Sequence, residues 1–402
     1  FWSANNHLLN SFLAFLSVSA LGNEEWVLRL GSLLAFPLYA FFGFRLMRNI
    51  QSSPLRWWAL LLFFSTHGII EFFGYARGYG LMLSFLLASI WFLRAAYLEY
   101  HNRKIVYLIV FSFLTLLSNV SALPLMCLIV ISALYLSWQQ QQDFRLKLGL
   151  SLLSTLPIGF ALWWSLQLKK HQQLYYGGQN GFRSDSLESL KDMVLSPKLS
   201  VDIFLAPAAL FLIAILIAKP WQNYQKAHMA HWAIVTFLLI SAFYPIGHWL
   251  INLKYPFDRA LIYWLVFALM AKFIWLDYQY QLGRKSLAFF LSWTLVFPLL
   301  YFSQTSLSTA SFKSWGQEQI PNRFYQHLNT VHAESLGGSY LQAPQWNFLE
   351  QKFDATLPAF QISKSPYLDY RLCEKNDWPQ WREDYQRVDS TEASLYLLQR
   401  KQ

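Results

Sequence analysis

The chain has 402 residues, 55% hydrophobic and 18% aromatic but only 13% charged, against roughly a quarter charged in an ordinary soluble domain, which excludes a plain soluble enzyme. The formal charge of +10 is unevenly held: up to residue 303 there are 22 Lys+Arg against 11 Asp+Glu, and beyond it 10 against 11. Basic residues beside apolar spans set orientation and meet anionic lipid, so the excess argues for a membrane and against a nucleic-acid partner.

A start at Phe1, without Met and on a polar segment, reads as truncation at the N-terminus. Leu8, Leu9, Phe12, Leu13, Phe15 and Leu16 follow a helical spacing that predicts a short helix on the outer membrane surface. Crossing the hydrocarbon takes ~20 mainly apolar residues at 1.5 Å each. Stretches of that kind run over 27–47, 55–73, 78–97, 104–118, 121–138, 146–167, 202–218, 230–250, 259–276 and 286–303. The fourth and fifth are short, divided by Ser118, Asn119 and the Ala122 to Pro124 stretch, and read equally as one broken hairpin or a re-entrant pair.

The tail carries a helix-like stretch from Pro321 to Glu334 and strand-like stretches at 339–343, 368–373 and 394–399. The expected fold is therefore an all-α polytopic membrane protein of about ten transmembrane helices over 1–303, with a surface helix at 1–25 and a long outer loop at 168–201. A small soluble α/β domain on the outer face follows over 304–402. Cys127 lies in an apolar run and Cys373 in the tail, so neither a disulfide nor a cysteine metal site is expected.

Orientation follows from the short loops. With residues 1–26 outside, every inner loop is basic, carrying Arg45, Arg48, Arg103, Lys104, Arg284 and Lys285 among others. Ten spans starting outside leave the tail outside as well.

A charge at mid-membrane costs about 2.5 to 3.5 kcal/mol on insertion scales, so the placement of polar residues is informative. Here Asn5, Asn6, His7, Glu24, Glu25, Arg29, Glu71, Arg77, Lys254, Asp258 and Arg259 all fall at outer span ends or on the outer surface. Glu71 and Arg77 read either as a structural ion pair or as an acid and a cation facing a substrate phosphate, for which the planar guanidinium fork is suited. Glu25 and Arg29, four apart, make an ordinary helix pair. Lys254, Tyr255, Asp258 and Arg259 read as an interfacial anchor belt or as part of the same site. The polar run Asn5, Asn6, His7 on a surface helix calls for a hydrogen-bonding partner. Gly177, Gly178 and Gly181 lack the Lys-Ser/Thr of a phosphate loop and read as a flexible connection; no Ser/His/Asp set, zinc motif or nucleotide loop is present.

Four stretches, Ala-Asn-Asn-His-Leu-Leu-Asn-Ser over 4–11, Glu-Glu-Trp-Val-Leu-Arg-Leu-Gly-Ser-Leu-Leu-Ala over 24–35, Glu-Phe-Phe-Gly-Tyr-Ala-Arg-Gly-Tyr-Gly-Leu over 71–81 and Tyr-Tyr-Gly-Gly-Gln-Asn-Gly-Phe over 175–182, carry a resemblance. Together they resemble bacterial GT-C type glycosyltransferases related to the protein O-mannosyltransferases and the lipid A aminoarabinose transferase. The resemblance implies transfer of a sugar from a polyprenyl-phosphate donor to a lipid, glycan or protein acceptor at the outer face of the bacterial inner membrane. Arg77, Lys254 and Arg259 would then meet the donor phosphate, with Asn6, His7, Tyr79 and Tyr255 completing the substrate site. The family's usual catalytic acid lies in the first outer loop, expected before Phe1. Glu71 and Glu25 are weaker candidates for the base that takes the acceptor proton, and Glu24 remains beside them. No cofactor and no metal ligand set are expected. The rival readings are a lipid-linked glycan ligase or polymerase, and a transporter or flippase of lipid-linked sugars, for which an internal repeat and mid-membrane polar sites are missing.

Overall fold

A computed structural model describes residues 7–141, 143–173, 177–194, 224–293, 320–339, 342–352, 358–362, 367–374, 377–390 and 395–401. The chain divides into two units, Phe1–Gln304 and Thr305–Gln402.

In the first unit, α1 (Leu8–Leu21) is the helix predicted near the N-terminus, and its outer face leaves Phe12, Phe15 and Leu16 exposed. It packs on α2 (Glu25–Met47), which in turn lies along α4 (Tyr79–Leu98). Between these, α3 (Ser53–Ser65) opens with a proline in its first turn and stops at Thr66, whose backbone is extended and whose Oγ1 donates to Leu62 O at 2.6 Å. The single span expected over 55–73 is therefore a 13-residue helix followed by two short turns, His67–Ile70 and Glu71–Phe73. At Thr66 the backbone leaves helical angles, and its N–H and hydroxyl both donate to Leu62 O.

The bundle continues through α5 (Asn102–Ser118) and α6 (Leu123–Gln140), with extended Asn119 and a tight turn Val120–Ala122 between them. Next come α7 (Phe144–Lys170), capped by the Asp143 side chain on Arg145 N, and the short α8 (Glu188–Val194). The described part ends with α9 (Tyr224–Ile251), α10 (Ile262–Gln281) and α11 (Lys285–Trp293).

By length and composition, six helical segments among the described residues can cross a membrane: Glu25–Met47, Tyr79–Leu98, Val120–Gln140, Phe144–Lys170, Ala230–Ile251 and Asp258–Gln281. At 17 residues α5 falls just short; the expected span 202–218 lies outside the described residues, and that at 286–303 is described only to 293.

Since hydrocarbon lipid offers helices no hydrophobic reason to associate, small and hydroxyl residues mark the interfaces. Ser84 Oγ lies 2.7 Å from Ala35 O, joining α4 to α2, and Tyr39 OH donates to Phe63 O at 3.2 Å, joining α2 to α3. Trp232 Nε1 donates to Ser132 Oγ and Trp264 Nε1 to Ser241 Oγ, both at 2.9 Å. At the end of α10 remote from Asp258, buried Asp277 accepts from Ser52 N at 2.9 Å and from Gln281 Nε2 at 2.7 Å, tying the α2–α3 connection to α10.

The second unit is a five-stranded mixed sheet with helices. Its elements are α12 (Asn322–Thr330), β1 (Leu336–Gly338), α13 (Ala343–Lys352), β2 (Phe360–Ile362), β3 (Tyr370–Glu374), β4 (Tyr385–Ser390) and β5 (Leu395–Arg400), in strand order β2-β1-β3-β5-β4. β1 runs parallel to β2 and β3, whereas β5 is antiparallel to β3 and β4. Strand alternation builds two cores. Leu372, Leu395 and Leu397 join Phe324, Leu328 and Trp346 on one face, while Cys373, Tyr396 and Leu398 pack with Tyr385, Trp378 and Trp381 on the other. The strands expected at 368–373 and 394–399 correspond to β3 and β5. Of the strand expected at 339–343, residues 340–341 lie outside the described residues; the described strand is 336–338, α13 starts at Ala343, and Gln342 Oε1 accepts from Ser339 N at 2.8 Å. Cys127, in α6, and Cys373, in β3, are both free thiols.

Candidate functional site

Four segments distant in sequence meet at one end of the first unit: the residue before α1, the connection into α4, the turn after α5 and the Asp258–Leu261 turn before α10. His7 is buried, and its Nδ1 lies 3.0 Å from Ser118 O. A carbonyl can only accept, so Nδ1 carries the proton and neutral His7 keeps a bare Nε2. The ring meets Tyr79 edge-on, with centroids 4.8 Å apart. This close approach depends on Gly78, where a Cβ would lie 2.2 Å from Ser118 O and 2.8 Å from His7 Cβ.

Tyr79 is itself buried and hydrogen-bonded to the side chain of Asn119. Because Asn119 Oδ1 already accepts from Ser121 N at 2.9 Å, its amide NH₂ is the group left for the tyrosine. Ser32 Oγ donates to Arg77 O at 2.8 Å and sits 3.3 Å from Asn10 Oδ1, so α1 and α2 together hold the backbone from which Arg77 projects.

The electrostatics follow from this placement. Arg77, half-buried, and Arg259, buried, both act on His7. Burial foremost, then the Arg77 charge and more weakly that of Arg259, lower the His7 pKa to about 4 against the opposing pull of the Ser118 carbonyl. His7 is thus neutral at neutral pH in an electropositive setting, and a small recess beside it, lined by His7, Ser118, Asn119 and Trp164, has room for about one water.

Arg259 is delivered by a strained turn. Asp258 adopts φ +32, and its carboxylate accepts from Arg259 N. The 177–191 segment clamps this turn. Gly178 and Tyr255 exchange two backbone hydrogen bonds of 2.9 Å, Ser186 Oγ donates to Pro256 O at 2.6 Å, and Asp258 N donates to Ser189 Oγ at 2.8 Å. Inside the segment the buried Asp185 carboxylate accepts from Asn180 N at 2.7 Å, Gly181 N at 3.2 Å and Asn180 Nδ2 at 3.2 Å. A Cβ on Gly178 would fall 2.1 Å from that carboxylate. The glycine-rich loop, expected to be a flexible connection, is instead a built clasp.

Of the residues picked out by sequence, His7, Arg77, Tyr79 and Arg259 come together. Lys254 and Tyr255 are engaged elsewhere: Lys254 packs over Gly177, and Tyr255 stacks on His248 at 4.6 Å besides pairing with Gly178. Glu71 is buried and accepts from Tyr75 OH at 2.8 Å. Glu25 pairs with Arg29 at 3.5 Å on an exposed surface, a contact worth ~0.2 to 0.5 kcal/mol, and Glu24 precedes α2 with no side-chain cap. Asn5 and Asn6 lie outside the described residues. Sequence reasoning missed the roles of Asn119 and Asp185; their signals were a polar break between two short spans and a lone acid in a glycine-rich loop.

Two guanidinium charges that reach this cluster suit an anion with several acceptor oxygens, whereas neutral His7, its one N–H spent on Ser118 O, offers such an anion no donor. No group of His, Cys, Asp and Glu among the described residues has the arrangement of a metal site. Compared with protein-family models and with curated proteins, the chain matches none.

Proposed function

We propose that the chain is a GT-C type glycosyltransferase with about ten membrane spans. It moves a sugar from a polyprenyl-phosphate donor to a lipid, glycan or protein acceptor at the outer face of a bacterial inner membrane, with the tail on that side. Arg77 and Arg259 hold the donor phosphate at the membrane boundary. An acceptor lone pair attacks the anomeric carbon as the sugar–phosphate C–O bond breaks; the bonding pair stays on the phosphate oxygen, and the acceptor proton passes to a carboxylate. The guanidinium pair stabilises the charge that gathers on the leaving phosphate. His7, Tyr79 and Asn119 shape the surrounding wall.

The observation that carries this reading is the convergence of Arg77 and Arg259 on buried His7 and Tyr79 at one end of a bundle of apolar helices. Charge-assisted hydrogen bonds are worth about 1.5 to 3 kcal/mol each, so losing one weakens binding about ten- to hundred-fold. The test is thermal stabilisation of the detergent-purified chain by a polyprenyl monophosphate compared with the matching polyprenol. The phosphate is expected to stabilise and the alcohol not, with the effect reduced in Arg77→Lys, which keeps the charge without the fork, and lost in Arg77→Ala. Equal responses to phosphate and alcohol, or an unchanged response in both variants, would remove the reading.

A further inference from the structure

A second cavity, of about 280 Å³, lies between α4, α6 and α9. Leu93 comes from α4, Ile131, Ser132 and Leu136 from α6, and Trp232 from α9. Leu93 is 14 residues beyond Tyr79, which places the cavity roughly 21 Å along α4 from the polar site at 1.5 Å per residue. It therefore belongs to the opposite half of the membrane. An apolar cavity of ~150 Å³ already admits a benzene-sized guest, and this one is nearly twice as large.

The polar groups of Ser132 and Tyr135 are engaged within the protein. Ser132 Oγ accepts from Trp232 Nε1 at 2.9 Å and donates to Leu128 O at 2.8 Å, and Tyr135 OH accepts from Gln139 Nε2 at 2.5 Å. Water entering the cavity would find few partners, and a stable buried water needs two to four. The mouth is open: Ile131 and Tyr135 are 56% and 60% exposed on a helix that is long and apolar enough to span the membrane. With these helices spanning a membrane, the mouth opens sideways toward lipid, in the half that carries Arg94.

We propose that this cavity is a binding site for a phospholipid acyl chain, entering sideways from the membrane half opposite the Arg77 and Arg259 cluster. A donor tail anchored by its phosphate at that cluster would begin in the other half, so a resident phospholipid fits the location better than the donor. The inference stands independently of the sugar-transfer reading and needs only that the helices span a membrane.

The full chain in nanodiscs doped with a phospholipid bearing a mid-chain diazirine, irradiated and mapped by peptide mass spectrometry, tests this. Adducts are expected to concentrate on 93–97 and 131–136, above the level on Leu33 and Leu34, which are exposed on α2 and do not line this cavity. In Leu93→Phe and Leu136→Phe, two separate ways of filling the space, the excess should disappear while thermal unfolding stays cooperative. The wild-type comparison of cavity and α2 positions holds whether or not either variant folds. Even labelling across both sets would reduce the site to ordinary surrounding lipid and overturn the proposal. So would excess labelling only by a diazirine polyprenyl phosphate, or ready reaction of Ser132→Cys with a water-soluble maleimide.

Discussion

His7 is the residue of the polar site whose protonation couples to stability near neutral pH. Its pKa is lowered to about 4 in the fold against 6.5 unfolded, so between those values the unfolded chain binds more protons than the native one. The stability due to neutral His7 is therefore whole above pH 6.5 and is lost as pH falls toward 4. At pH 5 the loss is about 2 kcal/mol, from 1.36 kcal/mol per pKa unit. Thermal unfolding in detergent at pH 7 and pH 5 should show that drop in the wild type and a smaller one in His7→Gln, which does not titrate; equal drops would place the sensitivity elsewhere. His7, Arg77 and Arg259 were legible in the sequence because a polar group at the end of an apolar span has few places to go. Asn119 and Asp185 were not, because a polar residue in a loop becomes structural only through partners far away in the chain, here Tyr79 for the first and the Tyr255 pairing that the second supports.

At the scale of elements, close backbone approaches decide the site. Gly78→Ala must displace either Ser118 O or His7, so α1 should loosen from the α4 and α5 ends. Faster amide exchange over 8–21, with exchange over 262–281 unchanged, is the expected signature. In the clasp, Asp185→Ala removes the acceptor of three N–H donors on exposed Asn180 and half-buried Gly181, at a cost of about 0.5 to 1.5 kcal/mol for each bond lost. Protease sensitivity should rise over 177–186; if it does not, the carboxylate is not what closes the segment. Periodicity and length found most of the long helices, including 27–47, 146–167 and 230–250, because twenty apolar residues leave little ambiguity. They failed at 55–73, where the backbone turns extended at Thr66, and at β2 and β4, which are short or mostly exposed and carry no run of apolar alternation.

For the whole molecule, orientation is the property on which outer-face chemistry depends. Basic connections at 45–48, 103–104 and 284–285 all fall on one side if the 177–191 clasp falls on the other. In a chain with Cys127 and Cys373 replaced by serine, Asn180→Cys should react with an impermeant maleimide in intact cells and Arg103→Cys only after permeabilisation. The reverse pattern would turn the bundle over and place the Arg77 cluster in the cytoplasm. Burial also sets the background of such an experiment: the Cys373 thiol is pushed up to about 12 chiefly by burial, so it should react slowly even where it is retained.

The two anchorages of α10 bear on how the molecule can move. At one end Asp277 is fastened to Ser52 N, and at the other the Asp258 turn is fastened to Ser189 Oγ within the clasp. A helix tethered at both ends to segments far away in sequence is a fixed post. Sliding it by one turn, about 5.4 Å, would break both fastenings at once. Access to the arginine pair must then come from tilting or swinging the neighbours, α1 above all, about a helix that stays in place. Mechanical compliance should accordingly be low along α10 and higher at α1, the apolar helix that follows His7.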